Sequence, residues 1–203
     1  MVQTALKTTT FDEFVAWLPE RSEYRYELMN GAIVEMPKPR GKHSKIAGFI
    51  STKLSEEITR LELPYFIPRE CIVKSIDSKS GFEPDEIVLA EPALSDEPRW
   101  EQESMLTLGS SIPLIVEVVS TNWQDDYVVK QLAYEALGIS EYWIVDYLGL
   151  GGRRFIGNPK QPTISICRLV DGEYDVQYFR DDDILQSLTF PELKLTANQV
   201  FNV

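Results

Sequence analysis

The stretch Leu114-Ile115-Val116-Glu117-Val118-Val119 constrains this chain more than any other. Its apolar residues do not alternate with polar ones, which is the pattern of a strand covered on both faces. Ser120, Thr121 and Asn122 follow, residue types that cap helices. Val129, Leu132, Ala133, Ala136 and Leu137 then share one apolar face, predicting a helix that runs to about Leu137. Gly138 suits a left-handed stop, and Glu141-Tyr142-Trp143-Ile144-Val145-Asp146 reads as the next strand. A strand, helix, strand unit with short connections folds as a right-handed crossover between parallel strands.

The rest of the chain extends that unit. Thr10 is placed to cap a short helix from Phe11 to Leu18, with Asp12 and Glu13 in its first turn. Tyr24–Leu28 and Ala32–Met36 flank Asn30-Gly31, a strong hairpin signal. Apolar residues from His43 to Leu61 recur at helical spacing. Residues 147–203 read as several short strands and a final helical turn. The expected class is α/β: a mixed central β-sheet flanked by α-helices, in a single domain with its core at about 24–146 and a β-rich extension at 147–203.

Glu117 stands inside the most apolar strand, where an acid is rarely left unless it is paired or holds a metal. Pro84-Asp85 opens a second apolar run, Ile87-Val88-Leu89-Ala90. Two carboxylates about 4 Å apart repel by roughly 4 kcal/mol at an effective dielectric of ~20. A divalent cation between them removes that repulsion. Mg²⁺ or Mn²⁺ fits oxygen donors of this kind, and the backbone carbonyl of Val118 could add a third. The competing reading makes Asp85 an exposed loop acid and pairs Glu117 with a buried base.

Asp126, Lys130 and Tyr134 follow at i, i+4 and i+8 and share a side of the predicted helix, at the border of its apolar face. Lys130 could orient an attacking water or stabilise an oxyanion there; the alternative is a surface ion pair with Asp126. Tyr134 either lines the site or packs at the helix border. His43, the one histidine, could contact phosphate or move a proton, or serve as a polar helix cap. Lys38, Arg40, Lys42 and Lys45 form the densest basic stretch, able to follow a nucleic-acid backbone or to stay a solvated loop.

The pair Pro84-Asp85 and Glu117-Val118-Val119 resembles the split active site of the PD-(D/E)xK nuclease superfamily, the restriction endonuclease-like fold. That motif puts a lysine two residues after the acid, where this chain has Val119. The wider order Glu117-Val118-Val119-Ser120, Asp126, Lys130, Tyr134, Gly138 and Glu141–Asp146 resembles the Uma family of putative restriction endonucleases, in which the lysine is moved to the following helix, matching Lys130. Tyr26-Glu27-Leu28 with Asn30-Gly31, and His43, are similar to the same family. The resemblance spans about Tyr26 to Asp146. It implies a metal-dependent endonuclease acting on DNA, with Asp85, Glu117 and Lys130 in the site. It also implies that Glu27 is a further acid near the metal; on its strand Glu27 faces away from Tyr26 and Leu28, so a solvent-facing hairpin acid is the other reading.

Charge argues the other way. The formal net charge is −12, the wrong sign for a protein that coats nucleic acid. With Val119, it motivates a rival reading as a catalytically inactive binding or regulatory module on the same fold. A carboxylate-pair glycosidase is a third, without a sugar-stacking pattern to support it. Met1–Thr10 lacks the apolar core of a signal peptide and no run is long enough for a membrane span, so a cytoplasmic protein without a membrane partner is expected. Cys71 and Cys167 lack zinc-site spacing and read as buried thiols. A homodimer is expected from function, since cutting both strands of a duplex suits two-fold symmetry.

Overall fold

The computed structural model describes residues 8–19 and 23–203. Residues 1–7, on which the signal-peptide reading depends, lie outside the described residues. Helix α1 (Phe11–Trp17) starts at a capping box, in which Thr10 and Glu13 satisfy each other's backbone N–H groups. Strands β1 (Arg25–Met29) and β2 (Ala32–Met36) form the expected hairpin. Asn30 and Gly31 both adopt positive φ at its tip, the requirement that Asn-Gly meets at little cost.

Helix α2 (Gly41–Arg60) follows, then short β3 (Tyr65–Phe66), β4 (Ile72–Lys74) and β5 (Gly81–Phe82), and β6 (Glu86–Ala90). After α3 (Trp100–Glu103) and β7 (Met105–Leu106) comes the acid-bearing β8 (Leu114–Val118). A π-helical turn (Asp125–Lys130) leads into α4 (Gln131–Leu137), then β9 (Glu141–Asp146). Helix α5 (Arg153–Ile156), β10 (Thr163–Val170), β11 (Glu173–Phe179) and α6 (Ala197–Phe201) complete the order.

The expected class is borne out: a six-stranded mixed sheet, β11-β10-β9-β8-β6-β3, carries helices on its faces, and β8 and β9 pair in parallel as the crossover requires. The N-terminal hairpin joins a second sheet, ordered β2-β1-β5-β4-β7. The reason is a pairing between Leu28 of β1 and Gly81 of β5, a contact the local pattern does not encode. β5 then runs through Glu83-Pro84-Asp85 into β6, so the two sheets meet beside Asp85.

Strand alternation divides the core. Leu114, Val116 and Val118 face Ile46, Ile50 and Leu54 of α2. Ile115 and Val119 face the other way, into a cluster with Tyr127, Tyr134 and Phe82. Glu117 lies between Ile115 and Val119 on that second face. Every residue of β8 and β9 is buried, consistent with cover on both sides. Trp143 is core, its indole N–H donating to Glu141 Oε1 at 2.6 Å. Cys71 and Cys167 are buried free thiols. No helix among the described residues is long and apolar enough to cross a membrane.

The segment after Glu117 departs from the expected plain α-helix. The chain enters it through a turn in which the Asp125 N–H donates to the Asn122 carbonyl, not through a side-chain cap from residues 120–122. The i→i+5 bonding of the π turn then widens one turn and rotates the helical register. Leu132, expected on the apolar face, is 60% exposed, while Tyr127, Lys130 and Tyr134 turn inward. Gly138 ends α4 at φ +83°, as expected for its left-handed stop.

Candidate active site

Glu117 projects from the middle of β8 and is only 3% exposed. Two donors meet its Oε1: the Lys130 ammonium at 2.9 Å and the Tyr134 hydroxyl at 3.0 Å. The π turn makes this possible by directing Lys130 into the sheet rather than along its border. Lys130 also lies 3.1 Å from Glu27 Oε1 and 3.9 Å from Asp126 Oδ1. Glu27 is 1% exposed, so the solvent-facing reading of this hairpin acid does not hold. Its Oε1 also accepts from the Glu83 backbone N–H at 3.1 Å, across the junction of β1 and β5.

Asp85 sits at the start of β6 with its Oδ2 accepting from the Val118 backbone N–H at 2.9 Å. His43 Nε2 lies 3.2 Å from the same oxygen. It reaches Asp85 from the buried face of α2, so it is a contact of the acid and not a solvated cap. Arg25 approaches the other oxygen at 3.8 Å while binding Glu83 through Nε at 3.0 Å. Asp85, Glu117, Lys130, Glu27, His43 and Val118 all border one cavity of about 320 Å³. Tyr134 supports it from behind.

The basic stretch divides. Lys38 and Arg40 line the cavity. Lys42 and Lys45 do not, because α2 already begins at Gly41 and carries both on its exposed side. The Lys42 amine donates instead to the Val203 carbonyl at 2.7 Å.

The charges in this cluster shape one another. Burial pushes the Glu117 carboxyl up to about 7, helped by Asp85 and Glu27 and opposed by Lys130. Burial likewise holds Asp126 well above the ordinary carboxylate range. At Asp85 burial acts in the same sense, but the hydrogen bond and charge of His43 outweigh it and the pKa is lowered. Burial disfavours a charged Lys130, yet Glu117, Glu27 and Asp126 together raise its pKa well above that of a free lysine. Lys130 is therefore an ammonium at neutral pH. Burial also opposes the His43 imidazolium, and Asp85 with the Val118 backbone reverses that effect, so its pKa is raised.

Arg25, Glu83 and Asp126 belong to this cluster although sequence reasoning did not give them a role in the site. Arg25 stands two residues before Glu27, on the same strand face; that period-two offset was a usable signal. Glu83 and the burial of Asp126 depend on the second sheet and the π turn, which leave no local pattern.

Among the described residues, no group of three or more His, Cys, Asp or Glu side chains is placed to hold a metal ion. A cation here would rest on two carboxylates and a backbone oxygen, with water and substrate supplying the remaining positions, as magnesium commonly does. The donors fit such an ion in kind, being hard oxygens. Glu27 Oε2, in the same cluster, is buried without a hydrogen-bond partner.

The family model described as "Uma2: Putative restriction endonuclease" matches residues 11–198, a span that contains every residue of the cluster. A solved structure described as a putative nuclease belonging to DUF820, from Anabaena variabilis ATCC 29413, is similar with a TM-score of 0.71 at 21% identity. The match covers 95% of this chain and 97% of that one. At that identity the likeness establishes the fold. Comparison with curated proteins finds no match.

Proposed function

Because the chain belongs to the Uma2 family of putative restriction endonucleases, we propose that it is a divalent-metal-dependent endonuclease that hydrolyses phosphodiester bonds of DNA from the Asp85, Glu117 and Lys130 constellation. The observation that carries this reading is the Lys130 ammonium, delivered from the π turn to within 2.9 Å of the strand acid Glu117. Val119 is buried on the same face of β8 as Glu117. A lysine at that position would start from this face; Lys130 reaches it from the opposite wall.

Asp85, Glu117 and the Val118 carbonyl would hold Mg²⁺ or Mn²⁺. Such an ion, when bound, supplies Lewis-acid stabilisation of charge on the phosphate and lowers the pKa of bound water. The chain's own groups do the rest. Lys130 would position the attacking water or help deprotonate it, or donate to a phosphate oxygen. Glu27 and Tyr134 hold Lys130 and Glu117 in place. His43 and the Val118 N–H fix the Asp85 carboxylate. Lys38 and Arg40, on the cavity wall, contact the substrate backbone. A two-fold dimer would let two such sites address both strands of a duplex.

Isothermal titration with Mn²⁺ and cleavage of supercoiled plasmid test the proposal on purified protein and its Asp85→Asn variant. Metal binding and metal-stimulated cleavage in the wild type, both lost in the variant, are expected. Cleavage that survives Asp85→Asn overturns the mechanism. Val119 and the net charge of −12 also favour a second reading, a non-catalytic nuclease-fold binding module. That module would bind nucleic acid or protein equally well without either acid, and without cleavage.

A further inference from the structure

Beside the cavity lies an aromatic surface that carries exposed cations. Tyr127, next to Asp126 in the π turn, stacks on Phe155 of α5 with ring centroids 4.8 Å apart. The Arg154 guanidinium lies over the Phe155 ring, 4.3 Å from its centroid. Trp123 closes the side of this stack, 6.2 Å from Tyr127 and 6.1 Å from Phe155. The Lys160 amine sits 5.9 Å from the Trp123 ring. Gly152 permits the close packing, since a Cβ there would come within 2.9 Å of the indole.

Two contacts tie this surface to the cavity. The Lys160 amine donates to the Leu150 carbonyl at 2.9 Å, and Leu150 lines the cavity that holds Asp85, Glu117 and Lys130. Asn122, the residue before Trp123, lines it as well. Arg153, Arg154 and Lys160 are all exposed. Among the described residues none of the three is within ion-pair distance of a carboxylate, in a chain with 32 acidic residues against 20 Lys and Arg. Exposed cations left unneutralised in so acidic a chain, and clustered around one aromatic stack, are complementary to a polyanion.

We infer that this patch is a second contact site for the substrate, taking the phosphate backbone of the polynucleotide strand that flanks the reacting phosphate. The inference rests on the nuclease reading above. An arginine held over an aromatic ring loses little freedom on binding and keeps N–H donors for phosphate oxygens. Arg153 and Lys160 add point charges beside it. Contacts of this kind set the register of a strand without reading its sequence. The strand would run from Lys38 and Arg40 at one part of the cavity wall, past the acidic centre, to α5 beyond Leu150.

The test is fluorescence anisotropy with a labelled DNA duplex and its single strand, in calcium buffer, across a salt series. Wild type is compared with the triple variant R153Q/R154Q/K160Q and with Arg69→Gln, an exposed arginine beside Glu70. The triple variant is expected to bind about tenfold more weakly at low salt. The steepness of log affinity against log salt should fall by about 2.7 on the duplex and about 2.1 on the single strand as three phosphate contacts are lost. Arg69→Gln should change neither. Wild-type binding with an unchanged slope in the triple variant overturns the patch and leaves the nuclease reading standing. A dimer lost in the triple variant by light scattering, with DNA affinity intact, assigns the patch to a second copy and also overturns it. Wild-type protein that neither binds nor cuts nucleic acid removes the nuclease reading, and this inference with it.

Discussion

The Lys130 ammonium lies 2.9 Å from Glu117 Oε1, with both residues only 3% exposed. Removing one partner of a buried pair leaves the other charge unpaired, a loss of about 3–5 kcal/mol. Lys130→Met is therefore expected to abolish cleavage and to destabilise the fold. The stability loss should be larger at about pH 8 than at about pH 5.5: the Glu117 carboxyl is pushed up to about 7 with Lys130 in place, and losing that ammonium raises it further, so the loss shrinks as pH falls towards about 7 and is smallest below it. Adding Glu27→Gln removes a second unpaired acid and should return about 1–2 kcal/mol through coupling. Urea denaturation of the single and double variants at about pH 5.5 and about pH 8 measures both effects.

Val119 shares a strand face with Glu117 and is 1% exposed. If a lysine is needed only to reach that face, its point of origin can be moved. Val119→Lys in the Lys130→Met background should regain about 10–100-fold of the lost cleavage, or roughly 1.4–2.7 kcal/mol of barrier. Circular dichroism must first show that the double variant folds. A folded double variant as inactive as Lys130→Met would mean that the π turn supplies more than an ammonium.

The acid pair was legible because each acid interrupts or opens an apolar run, a conflict visible in sequence. That Asp126, Lys130 and Tyr134 share one side of the helix was legible from their spacing, while the choice of Lys130 over a surface ion pair rests on the family resemblance. The burial of Lys130 was not legible, because a π turn has no local composition signature and rotates the register on which the apolar face was drawn. Glu27 needed a pairing between Leu28 and Gly81, more than fifty positions apart, before its environment could be known. Sequence proximity alone groups Lys42 and Lys45 with Lys38 and Arg40. The helix start at Gly41 separates them, and a boundary shift of two residues is enough to send a side chain to another face. The sequence thus carries the residue types, while long-range strand pairing decides which of them meet.

Tyr134 donates its hydroxyl proton to Glu117 Oε1 at 3.0 Å. A hydrogen bond to the ionised form of an acid favours that form. Tyr134→Phe should therefore raise the Glu117 pKa further and move the acid limb of the pH–rate profile to higher pH. It should also cost about 1–2 kcal/mol of stability at pH 8, with less cost once Glu117 is protonated. Profiles of kcat/KM against pH for the two proteins check the shift. Unchanged limbs would assign Tyr134 to packing alone.

Glu86 offers a test of stability that leaves the proposed ligands untouched. Its carboxyl is pushed up to about 7, first by burial and then by the neighbouring Asp85 charge, against a hydrogen bond with Ser51. The sign follows from linkage. With a folded pKa above the unfolded value, the folded state holds its proton longer, so stability falls as pH rises from about 4.5 towards 7. Above that range the full cost of ionising Glu86 in place persists. Glu86→Gln removes this loss and keeps an acceptor for Ser51. After discounting for its partial exposure, the gain at pH 8 should be on the order of 1 kcal/mol, vanishing below about pH 4.5. Urea midpoints for wild type and variant across that range decide it. A gain that is the same at both ends would mean that shape, not charge, limits stability at this position.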